Sequence, residues 1–554
     1  MKKFTAFLLT YALACLTLGG CAAKEQPVSQ SSANAAEIQG TAIVLSDESI
    51  TVDGAAVGSD TSAAVYTAND IVYYEEGKDF TYGEGTETDA HSAEEAAAHT
   101  VVHITRPGTY VLSGQLSKGQ VAVDLGEEAK EDPNAVVTLV LNGVDIYCSV
   151  APAVIFYNVY ECGSDDADTA TKDVDTIAAG ANVLIADGTE NNICGSYVAR
   201  IYKPDSVELS EDGKEVEDAK KLHKYDAAFY SKMSMNVGTW GDGTGVVNIN
   251  AENEGLDSEL HLTINGGNIN ITSGNDGINT NEDGVSVTTI NGGSVNIVVT
   301  GATGEGDGID SNGWLVINGG TVTAAACGFS QDSGIDSDMG IHVNGGTVMA
   351  SGNMLDRLED GGQNHAVFTF AQNQSGGSTY TLKNAAGETV AAYTPANDFS
   401  ILVLSAPELT AGEYTLWQGE TQLAITGAGM GGGFFGPRPV PPGGRQWEEL
   451  EGVDVSELPR LPAMEEGTQP ARMPDNAEGM TPPELPAGMA NMENIDRPEI
   501  PEGGMEKGER PDGMKGGDFG GRGPGQGSQT GGELSTIFTI TDGANYFGGI
   551  TAAQ

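Results

Sequence analysis

Residues 304–323 read GEGDGIDSNGWLVINGGTVT. Glu305, Asp307 and Asp310 crowd its first half, Asn318-Gly319-Gly320 marks a corner, and alternating apolar residues follow. The same arrangement recurs. NGG begins at Asn265, Asn291, Asn318 and Asn344, in steps of 26, 27 and 26 residues. Ahead of these corners lie GLDS (from Gly255), GINT (Gly277), GIDS (Gly308) and GIDS (Gly334). In three copies eight positions separate the Asp of Gly-x-Asp-Ser from the Asn of NGG. In the second copy Asn279 replaces the Asp and the gap is twelve.

Each NGG is followed by alternation (NINITS, SVNIVVT, TVTAAA, TVMAS) and preceded by a short apolar piece (LHLTI, VSVTTI, WLVI, IHV). Period two with β-branched residues predicts strands rather than helices. A unit of about 26 residues holding three short strands is the signature of a stacked solenoid. The expected fold is all-β: a right-handed, single-stranded parallel β-helix over 100–365, followed by a small C-terminal antiparallel β domain. Ile264, Ile269, Ile271, Val295, Ile297, Ile317 and Val322 are expected to stack inward, and the first Asn of each NGG to form a ladder from coil to coil. Less regular copies lie upstream, in VVTLVLNGVDIY (136–147), ANVLIADGTENNI (181–193) and GVVNINAENEG (245–255). Polar insertions near 163–179 and 196–224 are expected as loops on one side.

In such a solenoid one corner repeats every 4.8 Å or so. Asp257, Asp276, Asp307, Asp310, Asp332, Asp336 and Asp338 would then stand in a column whose like charges repel unless neutralised. Ca²⁺ takes six to eight oxygen ligands and suits such a column. The plainer explanation is that Asp and Asn favour tight turns. That accounts for single residues better than for the pair Asp307 and Asp310, echoed at Asp332 and Asp336.

The order of ITRPGTYVLSGQL (104–116), TLVLNGVDI, YDAAFYSKMSMNV (225–237) and the DGI…INGG array resembles bacterial surface β-helix proteins known as carbohydrate-binding domain-containing proteins. The resemblance covers roughly residues 100–427. It implies a fold related to polysaccharide lyases, bound Ca²⁺, and binding of cellulose or acidic plant polysaccharides. Asn279 and the charged 196–224 insertion depart from the pattern.

The array between Tyr225 and Asp360 contains only Lys232 and Arg357 as strong bases, both outside the acid-rich units. His261 and His342 fall in strand alternation, where an exposed-face His is the ordinary expectation. A lyase needs a base beside its metal, so the sequence favours a non-catalytic binder. A Ca²⁺-dependent lyase or glycoside hydrolase, and a structural adhesin or surface spacer, are the alternatives. Trp240, Trp314 and Tyr230 are the candidate carbohydrate-stacking residues.

The formal net charge is −53, from 26 Lys and Arg against 79 Asp and Glu. That repels nucleic acid and attracts cations. Residues 1–21 (MKKFTAFLLTYALACLTLGGC) have the shape of a lipoprotein signal peptide with Cys21 as the lipidation site, followed by a tether over 22–40. The expectation is an extracytoplasmic protein, lipid-anchored in the cell membrane at the cell surface. Cys148, Cys162, Cys194 and Cys327 form no zinc-like spacing, and a Cys162–Cys194 disulfide is left open. Residues 41–99 read as an N-terminal β appendage. Residues 366–427 with 534–554 read as a C-terminal β cap. The Gly/Pro/Met-rich stretch 428–533 between them reads as a disordered insertion.

Overall fold

The computed structural model describes residues 38–428 and 534–553. The expected signal peptide, Cys21, most of the tether and almost all of the 428–533 stretch lie outside the described residues. Among the described residues the regular structure is nearly all strand, with one short α-helix at Ala93–Ala97, capped by the Ser92 hydroxyl, and two short 3-10 helices. No described helix is long and apolar enough to cross a membrane.

The repeats pair in parallel and in register. His261–Ile264 pairs with Val287–Ile290, which pairs with Trp314–Ile317, which pairs with Gly340–Val343. After the corners, Asn268–Ser273, Ser294–Val299, Thr321–Ala325 and Thr347–Gly352 repeat the arrangement. Both series belong to one large mixed sheet. A second, eight-stranded sheet holds the Gly-x-Asp segments. Ala227–Ser231, Glu254–Ser258, Ile278–Thr280 and Ile309–Ser311 follow one another in parallel.

Alternation explains the register. Ile264, Ile290, Ile317 and Val343 occupy successive positions of one row, as do Ile269, Val295, Val322 and Val348. All eight are buried, and a one-residue slip would turn each strand's row toward solvent. Each such side chain contributes about 1.5–3 kcal/mol of burial. The second Gly of each corner has φ between +80° and +106° (Gly267, Gly293, Gly320, Gly346). A Cβ on Gly293 would also lie 2.5 Å from the Gly267 carbonyl oxygen, so the corner admits no side chain there.

At the N-terminal side, Thr41–Leu45 runs parallel to Gly108–Leu116, so this segment extends the large sheet. At the other end Phe399–Ser405 pairs antiparallel with Thr347–Gly352, covering the edge of the last repeat. The C-terminal region has its own apolar core, including Phe368, Tyr380, Phe399, Leu402 and Ile540. Phe538–Ile540 pairs with Gly412–Gln418, whereas Ala544–Ala552 runs parallel to His365–Gln374. The C-terminal β region is therefore mixed rather than purely antiparallel, because the chain enters it again from a distant point.

Candidate functional site

The acid-rich face belongs to the eight-stranded sheet. Asp257 and Asp310 lie within strands, at the register positions flanking Asn279. Turn preference therefore does not explain them. The glycines before them stack with no room for a side chain: a Cβ on Gly255 would meet the Gly277 carbonyl at 2.5 Å, and one on Gly277 the Gly308 carbonyl at 2.6 Å. That close approach brings carboxylates of successive repeats together.

Two groups form. Asp226, Glu254 and Asp257 are all buried, and each offers an oxygen within 4.8 Å of the others. Asp307, Asp310 and Asp336 form a half-buried second group within the same distance. Two unit charges 4 Å apart cost about 4 kcal/mol even at an effective dielectric constant of 20. Burial, and then the neighbouring Asp226 and Asp257, push Glu254 well above the usual carboxylate range. Burial, then Glu259 and Asp226, do the same to Asp257. In the second group burial and then Asp336 raise Asp307, and burial and then Asp310 raise Asp336.

Only part of this charge is answered internally. Lys224 Nζ lies 2.6 Å from Asp226 Oδ2, and the Asn281 amide donates to both oxygens of Asp257 at 3.1 and 3.0 Å. Asp276 accepts the Asp307 N–H at 2.7 Å, and Asp307 accepts the Ser333 N–H. Glu254 Oε2 and Asn279 Oδ1 are buried oxygens without a hydrogen-bond donor. An unsatisfied buried acceptor costs about 1–3 kcal/mol. Oxygen-only donors, two of them unsatisfied, fit a hard divalent cation such as Ca²⁺ and not a soft metal.

The remaining expected residues scatter. Asp276, itself raised by burial and then by Asp310, links the two groups. Asp332 instead pins the loop before Asp307 by accepting the Gly306 N–H at 2.7 Å and the Ser330 hydroxyl. Asp338 is exposed and outside both groups. Tyr230 is not a stacking platform. It is 1% exposed, its hydroxyl donates to Glu259, and its ring lies 5.3 Å from that of Tyr225 at the end of the insertion. Trp240 is partly buried against Val111, Val140 and Ala186. Trp314 starts the equivalent strand three repeats later, in line with Val287, His261 and Ser234. Six positions then separate the two Trp along the strand direction, about 20 Å, so they form no common platform. His261 is also buried rather than exposed, its Nδ1 accepting the Val287 N–H at 3.2 Å. Cys162 and Cys194 are free thiols.

Sequence reading overlooked Glu254, Asp226 and Lys224. Glu254 occupies the position before Gly that Asp276 and Asp307 hold in later repeats, a signal hidden by the Glu-for-Asp exchange. Lys224 and Asp226 come from the end of the insertion, whose paired strands Val198–Tyr202 and Lys221–Tyr225 deliver them to the site.

No curated protein matches the chain. A solved structure titled "Structure of the polysaccharide lyase-like protein from C. thermocellum, Gadolinium derivative" is similar at 20% identity. It covers 56% of this chain and 93% of its own, with a TM-score of 0.30, a likeness that carries no argument. Residues 98–387, more than half of the chain, match the model of a family described as "Carbohydrate-binding domain-containing protein", and the chain belongs to that family.

Proposed function

We propose that this protein is a non-catalytic polysaccharide-binding protein whose stacked carboxylates take up Ca²⁺. The observation that carries the metal reading is the pair of buried, donorless oxygens on Glu254 and Asn279 within a carboxylate column. Asp226, Glu254, Asp257 and Asn279 would hold one ion, and Asp307, Asp310 and Asp336 a second. Each ion would cross-link neighbouring repeats. The in-register parallel ladders support reading the repeats as coils of a right-handed β-helix, with the ions as staples along one side. The polymer would be cellulose or an acidic plant polysaccharide. The sequence adds a lipid anchor at Cys21 and a place at the cell surface.

Binding is favoured over catalysis because no base near the carboxylates is free to take a proton. Lys224 is the nearest, and Asp226 foremost holds its ammonium charged. The same residue motivates the second reading, a Ca²⁺-dependent lyase. An ion on Asp226 would withdraw the charge that keeps Lys224 protonated, leaving an amine beside a metal.

The deciding experiment is retention of the soluble chain, cut after residue 21, on insoluble cellulose and on pectin-like polymer. It is run with Ca²⁺ and with chelator while unsaturated or reducing sugars are followed in the supernatant. Retention without product supports the binder. Product that disappears with Lys224→Ala supports the lyase. Absence of retention and product leaves an adhesin or rigid spacer.

A further inference from the structure

The other sheet carries a groove of about 440 Å³ that the acidic column does not touch. Its floor is the outer face of the NGG-corner strands. Asn265, Asn291, Asn318 and Asn344 form an unbroken amide ladder, each donating to the preceding oxygen at 2.9, 2.9 and 2.8 Å. Beside it runs a second row, Asn236, Thr263, Thr289 and Val316, paired in register. Residues 172–177 form the wall.

That wall is held in place. Thr176 is 5% exposed, and its hydroxyl lies 2.7 Å from both Asn236 Oδ1 and Thr263 Oγ1. The Asn236 amide donates back to the Thr176 carbonyl at 2.7 Å. The next residue, Ile177, is 88% exposed at the mouth of the groove. An apolar side chain kept in water beside an anchored residue offers a contact surface.

The chemistry of the floor selects its occupant. An amide has two N–H donors and two acceptor lone pairs. Within the ladder Asn291 and Asn318 each use one of each, which leaves a donor and an acceptor per repeat. Three steps of about 4.8 Å give a regular row about 14 Å long. Sugar hydroxyls are likewise paired donors and acceptors, and a sugar's C–H face suits Ile177. The groove offers an anion little: its one cation, Lys172, is paired with Asp173 at 2.6 Å, and the chain carries −53 charges.

We propose that this groove seats a neutral polysaccharide chain along the Asn265–Asn344 ladder, beneath residues 172–177. The proposal rests on the glycan-binding reading above and assigns it a place and a substrate class.

The test is titration calorimetry of the full mature chain with a soluble neutral β-1,4-glucan hexasaccharide and with hexagalacturonate. It uses wild type, Thr289→Trp, which fills the groove, and Ile177→Asp, which alters only an exposed side chain. Neutral-glucan binding weakened about tenfold or more by Thr289→Trp, and less by Ile177→Asp, is the expected result. If thermal melting shows that Thr289→Trp does not fold, Ile177→Asp alone decides. Wild-type binding that neither variant weakens would overturn the groove while leaving the glycan-binding reading intact. Binding of hexagalacturonate alone would overturn the neutral class. Failure of wild type to bind either sugar or either insoluble polymer would overturn both.

Discussion

Two ladders of short polar side chains run along this molecule, and they differ by one functional group. On the large sheet, carboxamides stack from Asn265 to Asn344. A second amide row runs through Asn192, Asn248, Asn270 and Asn296 to Thr323, at 2.7–3.0 Å. On the eight-stranded sheet, carboxylates approach within 4.8 Å. An amide both donates and accepts, so amides in a stack bond to one another, and each inner one keeps a donor and an acceptor to spare. An ionised carboxylate only accepts, so a stack of carboxylates needs protons, backbone N–H groups or a cation from elsewhere. The amide face holds together with no added charge. The acidic face keeps two buried oxygens, Glu254 Oε2 and Asn279 Oδ1, without a donor.

The largest expected effect tests that contrast directly. Ca²⁺ at about a thousand times its dissociation constant adds roughly 4 kcal/mol to the native state. For a protein of this size that raises Tm by roughly 5 °C. Replacing Asp307, Asp310 and Asp336 together by Asn should remove the second ion's share of this gain in a melting experiment, leave the share of the ion at Asp226, Glu254 and Asp257, and make the chelated protein no less stable. A full Ca²⁺ response in the triple variant would rule out the second ion at this group. Next in size, Gly293→Ala should cost about 2–3 kcal/mol in denaturant unfolding, since φ is +87° and the added Cβ meets backbone. It should do so with or without Ca²⁺, because this corner serves the amide side.

A third prediction separates the faces by pH. Glu254, Asp257, Asp276, Asp307 and Asp336 all have native pKa values raised by burial first. A raised carboxyl binds more protons when folded than when unfolded. Its contribution is therefore complete below the ordinary carboxylate range and lost as pH rises through the native value. In chelator, Tm should fall as pH rises above the ordinary carboxylate range of about 4, and Ca²⁺ should restore it most at the upper end. A flat profile in chelator would mean that these groups are neutralised internally. The smallest effect is Asn291→Ala, which breaks the ladder at an exposed position. It should cost about 1 kcal/mol, with neither the Ca²⁺ response nor the pH profile changed.

The two faces were not equally legible. Asn-Gly-Gly at steps of 26, 27 and 26 residues announces the amide ladder, because identical residues at one repeat position must stack if the repeats pair in register. The acidic column was legible only in part. Asp307, Asp310 and Asp336 come from the repeat and meet in space. Asp332 and Asp338 share its composition but sit where the chain turns away. Tyr230, beside Phe229, reads from sequence as either core or platform, and the ring of Tyr225 packed against it decides for the core.

By itself the sequence determined the strands, their inward rows, the corner glycines and the excess of negative charge. These follow from periodicity and steric limits that act within one repeat. The tertiary structure decided which carboxylates converge, that Lys224 joins them, that Glu254 and Asn279 are left with unsatisfied oxygens, and that residues 172–177 wall a groove over the amides. Those outcomes depend on insertions of irregular length folding back across many repeats. No local pattern encodes the distance between two such segments; packing does.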